Sequence, residues 1–150
     1  MIKKFSQLIL IFIFLSNCGY EPIYSSKNLN FSIGNIEKTN TSLNNEFAKK
    51  IYSLSNKGNS NKISFKIESD KRVIIKSKDT KGDALVFEME IVLKALNLNG
   101  DNTKNQTFVK KITFKNSEDK FRLKQYEKEL EKILITNIVK DLINYFSKIQ

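Results

Sequence analysis

The sequence predicts an α+β domain, a four-stranded sheet with two helices packed on one face, in the order β-α-β-β-β-α. Three observations predict it. Three alternating segments are joined by short polar turns, one amphipathic stripe precedes them, and a longer stripe follows. At 150 residues, with no internal repeat, the chain holds one domain and can bury a sizeable core.

Leu29, Phe31 and Ile33 alternate with Asn30 and Ser32, a short strand ending near Glu37. Thr39 to Ser42 supply N-cap candidates. Leu43, Phe47, Ile51 and Leu54 then follow at helical spacing, and Gly58 is a natural stop. Ile63, Phe65 and Ile67 alternate with Ser64, Lys66 and Glu68, and Val73-Ile74-Ile75 continues after a polar break at Ser69 to Arg72. A turn at Asp79 to Asp83 leads into the cleanest strand. Leu85, Phe87, Met89, Ile91, Leu93 and Ala95 share one face; Val86, Glu88, Glu90, Val92 and Lys94 share the other. After a turn at Asn99 to Asn102, Phe108, Ile112 and Phe114 oppose Thr107, Val109, Lys111 and Thr113. Turns this short imply antiparallel neighbours, hence a meander.

The stretch from about Glu118 to Ile149 reads as one long helix. Leu123, Tyr126, Leu130, Ile133/Leu134, Ile138, Leu142, Tyr145 and Ile149 mark its stripe. Ile135, Val139, Ile143 and Phe146 widen the stripe, so the C-terminal half needs broad cover, which a sheet provides.

Composition narrows the chemistry. The chain has no His and one Cys, so His-based triads, thiolate zinc clusters and an internal disulfide framework are excluded. The formal charge is +10, from 26 Lys+Arg against 16 Asp+Glu, but only Arg72 and Arg122 are Arg. Lys, Asn and Ile abound, as an AT-rich coding genome would produce, so part of this charge is a solvated Lys-rich surface. The remainder points to a polyanionic partner such as a membrane surface, a phosphorylated glycolipid or nucleic acid. No Gly-rich phosphate loop is present.

The N-terminus is the sharpest local signal. Lys3 and Lys4 precede the unbroken apolar run Leu8 to Leu15, which is short of the ~20 residues a membrane-spanning helix needs and suits the h-region of a signal peptide. Leu15-Ser16-Asn17-Cys18 follows directly, and it resembles the lipobox of bacterial lipoproteins, with Asn17 where Gly, Ala or Ser is usual. The resemblance implies a covalent diacylglycerol on the Cys18 thiol, cleavage before Cys18, and an N-acyl chain on the new amine. Several acyl chains anchor a protein stably where one does not. The competing reading is an uncleaved signal anchor with an incidental Cys. Residues 1–17 are thus the signal peptide, 18–28 an acylated tether containing Pro22, and 29–150 the domain. Cleavage leaves 24 basic and 16 acidic residues, a net charge of +8. No other cofactor is expected.

Lysines on the strands could build a basic sheet face: Lys62, Lys66, Lys71, Arg72, Lys76 and Lys78 on one, Lys110, Lys111 and Lys115 on another. Such a face is either solvated or phosphate-binding. It lacks the interleaved aromatics of a single-strand nucleic-acid binder, and an exported protein does not normally meet DNA, so no nucleic-acid partner is expected. Glu88 and Glu90, flanked by Lys-bearing strands, read as cross-strand partners rather than a catalytic pair. No enzymatic activity is expected.

Cys18-Gly19-Tyr20-Glu21-Pro22-Ile23-Tyr24 resembles the Cys-Gly-aromatic-x-Pro-aliphatic-Tyr start of the lipopolysaccharide-assembly lipoproteins, the LptE type of alphaproteobacteria. The element order resembles that family over nearly all of residues 18–150. The resemblance implies a non-enzymatic outer-membrane subunit facing the periplasm or the barrel lumen. It would plug a large β-barrel partner (LptD type), assist its assembly, and bind lipopolysaccharide. It also implies a lipopolysaccharide contact near the start of the last helix, where Lys124 is the match, with Arg72 on the second strand as another. Together with Lys62, Lys66, Lys111 and Lys115 these are the candidate binding residues. The alternative is a periplasm-facing auxiliary lipoprotein of another envelope lipid-transport system.

Overall fold

The computed structural model describes residues 31–54, 60–98 and 105–148. Its elements run β1 (Ser32–Lys38), α1 (Ser42–Ser53), β2 (Lys62–Lys78), β3 (Ala84–Asn97), β4 (Asn105–Lys115) and α2 (Lys120–Lys148). The strands lie side by side in chain order. β2, β3 and β4 form the antiparallel meander, while β1 runs parallel to β2 with α1 as the crossover between them. A parallel pair needs such a crossover.

Local chemistry sets the boundaries. Thr41 caps α1 by accepting the Asn44 N–H at 3.2 Å on its hydroxyl. Asp119 caps α2, its carboxylate accepting the Arg122 N–H at 3.0 Å. The β2–β3 turn closes where expected. The Asp79 carboxylate accepts the Lys81 and Asp83 N–H groups at 2.9 and 2.8 Å, and Gly82 takes φ +93°, a conformation that glycine adopts without strain.

Gly34 sits where the β1–β2 register shifts, between Ile33 and Ile36. A Cβ at Gly34 would stand 2.6 Å from the Ser64 hydroxyl, which itself accepts the Asn35 N–H at 3.1 Å. The Tyr52 hydroxyl of α1 steadies this shift, donating to the Gly34 carbonyl at 3.3 Å and accepting the Ile36 N–H at 3.2 Å.

The polar stretch Ser69 to Arg72 does not break its strand: β2 runs without interruption through 17 residues. Every residue of the stretch pairs with β3, from Ser69 opposite Leu93 to Arg72 opposite Glu90, and backbone pairing is indifferent to side-chain polarity. The start of the first strand at Leu29, Gly58, the turn at Asn99 to Asn102 and Ile149 lie outside the described residues.

Both helices cover the same face of the sheet. The core joins Phe47 and Ile51 of α1, Phe65 and Ile67 of β2, Met89, Ile91 and Leu93 of β3, Phe114 of β4, and Leu130, Ile138, Leu142 and Phe146 of α2. Phe65 and Phe146 meet with ring centroids 4.6 Å apart. Burying each such side chain contributes roughly 1.5–3 kcal/mol. Of the described residues of the predicted stripe in α2, Leu123, Leu130, Leu134, Ile138 and Leu142 are buried, Tyr145 is partly buried, and Tyr126 and Ile133 are half exposed. Lys71 and Lys110 also point to this covered face, against expectation. They pair with Glu131 and Asp141 of α2 at 2.8 and 2.6 Å.

Candidate functional site

Alternation leaves the other face of the sheet with no helix upon it among the described residues. It carries Lys62, Lys66, Glu68, Asp70, Arg72, Ile74 and Lys76 from β2, Val86, Glu88, Glu90, Val92 and Lys94 from β3, and Thr107, Val109, Lys111, Thr113 and Lys115 from β4. Register arranges these side chains in rows across the strands. Arg72 lies opposite Glu90, and Glu90 opposite Lys111.

That row is the electrostatic centre of the face. The Glu90 carboxylate accepts hydrogen bonds from the Arg72 guanidinium and, at 2.5 Å, from the Lys111 ammonium. The Lys111 hydrogen bond holds the Glu90 carboxyl below its ordinary pKa, partly opposed by desolvation and reinforced by Arg72. The same bond raises the Lys111 ammonium. Lys76 pairs with Glu88 at 3.4 Å, and Arg72 also approaches Asp70 at 3.8 Å. Both glutamates therefore stand as cross-strand partners of basic residues.

The six strand and helix cations expected to bind a ligand fall into three groups. Arg72 and Lys111 come together on one carboxylate. Lys62, Lys66 and Lys115 share the open face and make no ion pair among the described residues. Lys124 is exposed on α2, in the layer packed against the opposite face of the sheet, so it does not join the strand cations. Cys18 lies outside the described residues.

Sequence reasoning passed over two places. Lys94 stands with Lys66 around a hollow of about 290 Å³ on the open face, completed by Glu68, Leu96 and Asn105. Period-two alternation already placed Lys94 on this face; only the register of β2 against β3 brought it beside Lys66. A second hollow, of about 370 Å³, lies between α1 and α2, where Lys49, Lys50 and Lys132 surround Ile135. No periodicity within either helix announces a groove between them.

Ammonium groups around shallow hollows can meet phosphate or carboxylate oxygens, with little geometric selection because Lys acts as a point charge. No group of three His, Cys, Asp or Glu side chains among the described residues could hold a metal ion. No helix among them is long and apolar enough to cross a membrane.

No family model matches the chain, and no curated protein matches it. Solved structures match its fold. The chain is similar to an uncharacterized lipoprotein B from Nitrosomonas europaea, with 15% identity, a TM-score of 0.59, and coverage of 79% of this chain and 86% of that one. It is similar to the rare lipoprotein B of Shewanella oneidensis, with 7% identity and a TM-score of 0.58 over 78% of this chain and 98% of that one. A minor lipoprotein of Acinetobacter baumannii matches with 8% identity and a TM-score of 0.54, over 80% of this chain and 94% of that one. At these identities the likeness establishes a shared fold.

Proposed function

We propose that this chain is a lipid-anchored outer-membrane subunit of lipopolysaccharide assembly, non-enzymatic, which plugs and helps assemble a β-barrel partner of the LptD type and binds lipopolysaccharide. One observation carries the reading. A fold shared with several bacterial lipoproteins follows a lipobox-like Leu15-Ser16-Asn17-Cys18 in the same chain. The start Cys18-Gly19-Tyr20-Glu21-Pro22-Ile23-Tyr24 narrows it to the lipopolysaccharide-assembly type by resemblance.

In this reading diacylglycerol and N-acyl chains on Cys18 hold the domain at the inner leaflet of the outer membrane, and residues 19–28 act as its tether. The open-face lysines meet lipid phosphates. Lys66 and Lys94 contribute most, because Arg72 and Lys111 already share Glu90. The face works by charge, so its affinity falls as salt rises.

Two experiments test the reading. Affinity purification of the tagged chain from detergent-solubilised outer membrane, followed by mass spectrometry, should recover a large β-barrel protein in equal abundance. Recovery with inner-membrane transporter subunits would instead assign the chain to another envelope lipid-transport system. In a direct titration, reversing charge at Lys62, Lys66, Lys111 and Lys115 together should weaken lipopolysaccharide binding and flatten its salt dependence. Unchanged binding would remove the basic face from the proposal.

A further inference from the structure

Most strand cations are already matched. Lys71, Arg72, Lys76, Lys110 and Lys111 each pair with a carboxylate. The hollow of about 370 Å³ between α1 and α2 is different. Lys49, Lys50 and Lys132 border it, and none of the three makes an ion pair among the described residues. A single carboxylate, Glu46, shares the rim, so positive charge is in excess there.

Helical spacing builds the groove. Glu46, Lys49, Lys50 and Ser53 recur at three- and four-residue intervals along α1, and Lys132, Ile135 and Thr136 do so along α2. The floor is apolar, since Ile135 is buried and belongs to the core. The Ser53 hydroxyl is engaged, donating to the Lys50 carbonyl at 2.7 Å. The three ammonium groups are thus the main donors, and they meet an anion as point charges.

Position indicates which anion. The C-terminal end of α1 lies beside the start of β1, where the Tyr52 hydroxyl bonds the Gly34 carbonyl and the Ile36 N–H. Lys49, Lys50 and Ser53 therefore stand near the end of the domain at which the chain enters from residues 19–30. Fully extended, those residues reach about 40 Å. From the level of Ser32, β2 runs roughly 50 Å to the β2–β3 turn. An anchor at Cys18 holds the groove end of the domain next to the leaflet rather than the turn.

We infer that this groove binds the headgroup phosphate of an anionic phospholipid from the leaflet that holds the Cys18 acyl chains. Lys49, Lys50 and Lys132 surround the phosphate, and Ile135 meets the glycerol and first methylenes. A free phosphate would leave the apolar floor uncovered, whereas a phospholipid covers it. The inference rests on the anchor in the proposed function, and on neither the barrel partner nor lipopolysaccharide. The groove lies in the helix layer, across the sheet from the hollow of Lys66 and Lys94, so the two sites can fill independently.

The test titrates the full chain, in a neutral maltoside detergent, with short-chain phosphatidylglycerol, the matching phosphatidylcholine, inorganic phosphate and lipopolysaccharide. Calorimetry follows affinity, and amide shifts follow the site. Phosphatidylglycerol should shift the amides of Lys50, Ser53 and Thr136, and bind about tenfold more tightly than phosphatidylcholine or inorganic phosphate. Lys49→Ala and Lys132→Ala should each weaken it about three- to tenfold, and Lys49→Glu/Lys132→Glu should abolish it. The melting temperature should hold, because both side chains are exposed. Glu46→Gln should tighten binding, which a purely structural role for the lysines would not produce. Equal binding of phosphatidylcholine would show that charge is unused, and equal binding of inorganic phosphate that the floor is unused. Either overturns the inference, as does the absence of shifts at those amides. Loss of lipopolysaccharide binding in Lys49→Glu/Lys132→Glu would give the groove to lipopolysaccharide and overturn it too. Failure to recover a β-barrel protein would count against the proposed function and leave the result of this titration standing.

Discussion

The two halves of β2 have similar apolar content and opposite fates. Ile63, Phe65 and Ile67 in the inner half are at most 4% exposed, while Val73 and Ile75, which point to the same face in the outer half, are 42% and 49% exposed. Strand propensity and alternation are alike in both. The difference is what lies above them: α1 and the C-terminal half of α2 cover the inner half, and the outer half meets α2 through the Lys71–Glu131 ion pair. A strand face is core only where another layer covers it.

The largest expected effect sits at the inner half. Phe65→Ala should cost about 3–5 kcal/mol in a denaturant titration, since Phe65 is fully buried and packs with its ring tilted against Phe146. A loss below about 1 kcal/mol would mean that the two halves are not distinct.

The junction between the halves comes next. Asn44 of α1 is buried and donates to the Thr39 carbonyl and hydroxyl at 3.2 and 2.7 Å, while accepting the Ser69 hydroxyl at 2.6 Å. Asn44→Ala should cost about 1–3 kcal/mol, because it strands the groups it satisfied. An equal loss in Ser69→Ala would show that the tie to β2 dominates.

A pH series sharpens the comparison within the outer half. Glu90 titrates below its ordinary 4.5 in the folded protein, so its ion pairs stabilise fully above that value and fade as pH falls through the lowered one. Lys111 titrates above 10.5, so the same pair is lost at the alkaline end as pH rises through the raised value. Glu90→Gln should lower the melting temperature at neutral pH and shrink the acid-side loss. An unaltered melting-temperature profile would show that the row contributes nothing measurable.

The smallest effect belongs to the exposed half. Ile75→Ala should change the stability of the monomer by no more than about 0.5 kcal/mol. A cost approaching that of Phe65→Ala would show that something covers the outer half in solution.

Much of this architecture was legible in residue spacing. Strict alternation from Leu85 to Ala95 specified which side of β3 faces the helices, and the four-and-three spacing from Leu43 to Leu54 specified α1. Legibility failed where a decision depended on neighbours. Ser69 to Arg72 interrupts the apolar alternation of β2, and only the pairing with β3 shows that the strand runs through it. Lys71 and Lys110 were counted with the basic face, but alternation in β2 and β4 turns both towards α2, where acidic partners wait.

The same division holds for the candidate site. Sequence alone determined the element order, the Lys-rich strands, and the lipobox-like motif ending at Cys18, because each is a local pattern along the chain. Tertiary structure decided which cations share a carboxylate, that Lys66 and Lys94 border one hollow, and that Lys124 stands in the other layer. It also decided that β2 outruns its pairing with β1, which ends at Ile67. The physical reason is that pairing register and layer cover are relations between distant segments. A local pattern constrains such relations, but only packing selects among them.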